Sequence, residues 1–150
     1  MDIFSDYIYA WTSPAYSSNL DNYLMGWNPT DQVESAPLVS YTECGLVMLC
    51  LAIVAAVAFY KIIDRPTFNK WYHWALTGLG AAVVSLFYAT GRCVGAVPAD
   101  IQNVVGEDAY AGFGDFLGFG FVNLLWTIVF YFIFSLIMKN FSVNSRTTPF

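Results

Sequence analysis

The residues best spaced to do chemistry together are Asn123, Thr127, Tyr131 and Ser135, which recur at every fourth position of an otherwise apolar run. Each four-residue step turns a helix by only about 40°, so one side of the helix carries all four. Asp115 and Lys139 extend the series at its two ends. A polar stripe at membrane depth faces another helix or water, not lipid. It would serve either as hydrogen-bonding glue between helices or as the lining of a narrow ion path. Proton relays and substrate sites normally hold an ionisable residue at mid-depth. None stands here, so interhelical bonding is the expected role.

A second pattern is steric. Thr77, Ala81, Ser85 and Ala89 are small and again four apart, with Gly78 and Ala82 beside them, and Gly114 and Gly118 repeat the device. Small residues at this spacing let helix backbones approach closely. Packing within the chain is the first expected use and oligomerisation the second. Three helices bury little alone, so other membrane chains are the expected partners.

The remaining reactive side chains are few. Counting 1.5 Å per residue from the inner anchors puts Arg92 roughly 33 Å up, Asp115 roughly 36 Å and Glu43 roughly 27 Å. The expected interfacial ion pair is therefore Arg92 with Asp115. Cys44 and Cys93 differ by about 9 Å in height, against the roughly 4.4–6.8 Å between bridged Cα atoms. A disulfide would need helix tilt. Cys50 is expected to be a buried free thiol. His73 is the sole histidine, set in the aromatic run WYHW. It cannot supply two axial haem ligands, although His–Met ligation with Met48 or Met138 is conceivable. No zinc pattern, phosphate loop or nucleophile–base pair occurs. The expectation is no catalytic residue, no cofactor and no metal.

These residues must be positioned by elements suited to lipid. Of the 150 residues, 57% are hydrophobic and only 11% charged, under half the share usual in soluble domains. Three long apolar segments stand out, at about 39–63, 71–91 and 115–138. Each can supply the roughly 20 residues that cross a bilayer as a helix. Period-2 alternation, the mark of a membrane barrel, is absent. The fold class is thus an all-α integral membrane protein with three transmembrane helices.

Orientation follows from the cations. Lys61, Arg65, Lys70, Lys139 and Arg146 would share one side, leaving Arg92 alone on the other. Cation-rich loops stay cytoplasmic, so the topology is N-out and C-in. Asp2, Asp6, Asp21, Asp31, Glu34, Asp100, Glu107 and Asp108 then all fall outside. Trp71, Tyr72 and Trp74, with Phe68, read as interface anchors at headgroup depth. Pro66 tightens the inner turn.

Residues 1–37 form a short, acidic, aromatic-rich extracytoplasmic segment. Its rings, among them Tyr7, Tyr9, Trp11, Tyr16, Tyr23 and Trp27, argue against disorder, and it is expected to pack on the membrane surface or on a partner. Residues 38–139 form the transmembrane domain and 140–150 a cytoplasmic tail. No cleavable leader is expected, because the first cation is Lys61. The net charge of −5 argues against nucleic acid. The reading is a non-enzymatic membrane subunit or anchor of a larger assembly, in a bacterial inner membrane. Its alternatives are a homo-oligomeric pore and, more weakly, an electron-transfer subunit.

Overall fold

The computed structural model describes residues 3–28, 33–34, 37–63, 71–97 and 111–140. Most of these are helical, and a two-residue antiparallel ladder pairs Trp27 with Glu34 and Asn28 with Val33. Helix α1 is short (Ser18–Leu24), α2 runs Tyr41–Ala58, α3 Trp71–Ala96 and α4 Phe113–Lys139. A widened, π-type turn (Phe59–Ile63) continues α2. Another such turn (Phe4–Tyr9) opens the chain, and a single 3₁₀ turn (Ser13–Ala15) follows it.

Among the described residues, three helices are long and apolar enough to cross a membrane, over Tyr41–Lys61, Trp71–Ala96 and Phe113–Lys139. In lipid the backbone must bond within its own segment, which helices alone achieve without closing a barrel. Neither α2 nor α4 has an amphipathic face, because lipid on one side and packed side chains on the other are equally apolar. The second span is longer than its apolar run suggests. Arg92 does not stop α3, which continues a further turn to Ala96.

Local chemistry sets the helix ends. Ser17 caps α1 by accepting from the Leu20 N–H at 3.4 Å. Gly26 closes it at φ 98°, a left-handed conformation that costs glycine little. At α2, the Ser40 hydroxyl accepts from the Glu43 N–H at 3.3 Å. Ser40 and Glu43 have the spacing of a capping box, but the Glu43 carboxylate is engaged elsewhere. At α4 the Asp115 carboxylate reaches back to the Gly112 N–H at 2.8 Å. This satisfies a free donor and sets a negative charge at the positive end of the helix dipole.

The chain forms two compact units, Met1–Leu46 with Leu86–Asn123, and Val47–Ser85 with Leu124–Phe150. In the first, the N-terminal segment packs on the adjoining ends of α2, α3 and α4. Its core includes Tyr9, Leu20, Tyr41, Cys44, Cys93 and Phe119. In the second, Ala52, Ala55, Ala56 and Tyr131 form the centre, with Trp74, Ala81, Phe130, Phe134 and Met138 packed on it. In both units α3 and α4 are antiparallel. Thr90 donates to the Phe116 carbonyl in one, and Trp74 to the Ser135 hydroxyl in the other.

Residues 64–70, 98–110 and 141–150 lie outside the described residues. So do the expectations resting on Arg65, Pro66, Phe68, Lys70 and Arg146.

Candidate functional site

The most densely bonded site lies in the first unit. The Tyr9 hydroxyl donates to Asn123 Oδ1 at 2.7 Å, and Asn123 Nδ2 donates to the Phe119 carbonyl at 2.9 Å. Asn123 is 0% exposed, so both ends of its amide depend on these partners. The Tyr16 and Tyr41 hydroxyls lie 2.6 Å apart, and Tyr41 donates in turn to Asp21. A phenol has one proton to give, so Tyr16 is the donor to Tyr41 and the chain runs Tyr16 to Tyr41 to Asp21. Tyr9 stacks on Tyr41 with ring centroids 4.6 Å apart, and the Tyr16 edge meets Phe119 at 5.5 Å. Burial raises the pKa of Tyr9 and Tyr16 above the ordinary tyrosine value. For Tyr9, further increments come from the nearby Cys44 thiol and Tyr16; for Tyr16 the nearby Asp21 carboxylate adds to the rise. Both stay neutral donors.

Two further anchors hold the N-terminal segment. The Ser17 N–H donates to Asp115 Oδ1 at 2.8 Å, and the Tyr23 hydroxyl to the Ala96 carbonyl at 3.1 Å. A Cβ on Gly118 would collide with the Ala15 carbonyl oxygen, and one on Gly45 with the Phe4 ring. Tyr9, Tyr16 and Tyr23 of this segment are thus buried by the chain's own helices, where the sequence suggested a membrane surface or a partner, whereas Tyr7, Trp11 and Trp27 are exposed. The buried hydroxyls find fixed acceptors there, as buried tyrosines generally require.

The expected Arg92–Asp115 pair is corrected. Arg92 Nε donates to Glu43 Oε1 at 2.7 Å and Nη2 to Glu43 Oε2 at 3.1 Å, while Tyr88 donates to the same carboxylate at 2.8 Å. Asp115 is occupied by the Ser17 and Gly112 N–H groups. Height along the helices misled because it ignores rotation: Tyr88 and Arg92, four apart, share a face of α3 and converge on one carboxylate. The pair is partly exposed, at 41% and 32% for the two side chains, and adds little stability.

The stripe on α4 is turned inward. Asn123, Thr127, Tyr131 and Ser135 are all buried. In the second unit Tyr131 donates to the Trp74 carbonyl at 3.0 Å, and Trp74 Nε1 to Ser135 at 3.0 Å. Trp74 is therefore a packing and bonding residue, whereas Trp71 and Tyr72 are exposed. On α3, Gly78, Ala82, Ser85 and Ala89 face inward, with Thr77 and Ala81 half-buried. Thr77 donates to its own helix at the His73 carbonyl. A Cβ on Gly78 would sit 2.5 Å from the Tyr131 ring, and one on Gly120 would strike Thr90 Oγ1. Gly120 was not among the residues singled out from sequence, although its spacing from Thr90 on an antiparallel neighbour is the only signal that could have found it. Gly114 meets open space, so only Gly118 of that pair is a close-packing position.

The three cysteines are free. Cys44 and Cys93 are buried, while Cys50 is exposed on α2 rather than enclosed as expected; two residues, about 200° of rotation, separate it from both Met48 and Ala52 on the packed side. Among the described residues no group of His, Cys, Asp or Glu is placed to hold a metal.

Fold and site together define an all-helical membrane protein whose three spans are joined by hydrogen bonds and close glycine contacts. Comparison with protein families, curated proteins and solved structures finds no match.

Proposed function

We propose that the chain is a non-enzymatic, membrane-embedded subunit or anchor of an oligomeric assembly, oriented N-out and C-in. The observation that carries this is the outward pair Gly91 and Gly95 on α3. Both are exposed, and a Cβ at either would meet nothing within 4 Å. Glycines four apart on a lipid-facing helix expose backbone to close approach by a second helix, where van der Waals packing drives association. Phe87, one turn earlier and 69% exposed, supplies a large side chain to pack beside them. The inward stripe supports the same reading over a pore, since its hydroxyl and amide groups are already bonded to groups of this chain. An acidic N-terminal face, held rigidly by Tyr9, Tyr16 and Tyr23, would be the part displayed outside. A bacterial inner membrane is the compartment we assign.

The test is mass in mild detergent. The wild-type chain should run as an oligomer or with co-purifying chains, and Gly91→Leu with Gly95→Leu should release a monomer. Gly80→Leu, also at an open position, should not. A wild-type monomer would overturn the reading, and liposome leak abolished by Asn123→Leu would favour the pore.

A further inference from the structure

The second unit contains an apolar cleft of about 520 Å³ between α3 and α4. Its walls are Trp74, Ala75, Gly78 and Leu79 on one helix and Ile128, Tyr131, Phe132 and their neighbours on the other. It opens to the outside of the helices, for Leu79, Ile128, Phe132 and Ile133 are all exposed. Gly78 lets the Tyr131 ring, itself part of the cleft wall, lie against the α3 backbone.

Size decides between occupants. A helix about 10 Å across rising 1.5 Å per residue fills on the order of 120 Å³ per residue, so the cleft would admit roughly four residues of one. That is hardly more than one turn. A methylene displaces about as much as a water molecule, roughly 30 Å³, so the same space matches roughly 17 methylenes. This is the content of one acyl tail. The volume also falls within the roughly 300–1,000 Å³ usual for small-molecule pockets.

Charge indicates which lipid. At about 100° per residue, Lys139 falls on the same face of α4 as Ile128 and Phe132, about 10 Å beyond Phe132 along the axis. Trp71 falls on the face of α3 that carries Trp74, Ala75 and Gly78, one turn nearer the same end. An indole and an ammonium at the mouth of an apolar cleft match the glycerol and phosphate of a lipid whose tail lies within. We infer that this cleft holds one acyl tail of an anionic phospholipid, with its phosphate at Lys139.

The experiment is native mass spectrometry of the full chain in mild detergent, equilibrated with phosphatidylglycerol or with phosphatidylcholine of identical tails. One phosphatidylglycerol should persist per chain, at a preference of about fivefold over phosphatidylcholine, as one cation near an anionic headgroup gives. Ala75→Phe or Leu79→Trp, each filling the cleft, should abolish retention of both lipids while helicity by circular dichroism is unchanged. Lys139→Gln should keep the tail and bring the two lipids to equal retention. Absence of retained lipid, or retention indifferent to both cleft-filling variants, would overturn the assignment. So would a dimer that those variants dissociate, which would give the cleft to a second copy.

Discussion

A buried amide with two obligate partners is the most consequential single residue in the first unit. Tyr9→Phe would leave Asn123 Oδ1 enclosed without its donor, which should cost about 1–3 kcal/mol. Hydrogen bonds at membrane depth often measure nearer 0.6 kcal/mol, so the lower end is the firmer expectation. Unfolding by a denaturing detergent, followed by circular dichroism, reads the loss. The double variant Tyr9→Phe with Asn123→Leu removes both polar groups and should be more stable than the sum of the two single losses predicts. The buried phenols carry a pH signature as well. Burial raises the pKa of Tyr9 and Tyr16 in the folded chain, while the unfolded chain keeps the ordinary value near 10. The folded state therefore favours the neutral phenol. Stability is complete below about pH 10 and declines as pH rises past it, because the unfolded chain ionises first. Phenolate absorbance from Tyr9 and Tyr16 should appear only as the fold is lost.

Glycine contacts distinguish structural from permissive positions at the level of whole elements. Gly114 and Gly118 look equivalent in sequence, yet only Gly118 faces backbone, at the Ala15 carbonyl. Backbone cannot step aside as a side chain can. Gly118→Ala should loosen the N-terminal segment and expose residues 10–17 to limited proteolysis, with α4 intact, and Gly114→Ala should leave the digestion pattern unchanged. This contrast also marks what sequence can and cannot convey about the elements. The three spans were legible because lipid demands about 20 apolar residues in an unbroken run, a local property. The inward sense of Asn123, Thr127, Tyr131 and Ser135 followed from helical periodicity. The extension of α3 to Ala96 was not legible, because Arg92 was read as a boundary when Glu43, 49 positions away, gives it a partner. The placement of Tyr9 was equally hidden, since its acceptor lies 114 positions away and no local pattern encodes such a distance.

For the whole molecule the decisive quantity is orientation, and it rests on charge rather than on packing. Five of the six cations would lie on the side of residues 61–70, and segments rich in Lys and Arg are retained in the cytoplasm. The rigid attachment of the N-terminal segment to the opposite helix ends makes this testable without disturbing the fold. Ser18 is exposed at the start of α1, and Thr67 lies in the cation-bearing connection. The native thiols leave a clean background: Cys44 and Cys93 are buried, and Cys50 sits inside the Tyr41–Lys61 span, where lipid excludes a charged reagent. A membrane-impermeant maleimide applied to intact cells should label Ser18→Cys at once and Thr67→Cys only after permeabilisation. The reverse pattern would invert the molecule, placing the tyrosine-anchored face in the cytoplasm and moving the Lys139 end of the acyl cleft to the opposite leaflet. If the orientation is as argued, shifting the charge balance should weaken it in a graded way. Lys61→Gln with Lys139→Gln, beside an Asn19→Lys substitution at the other end, should yield a mixed population in which both cysteines are partly labelled from outside.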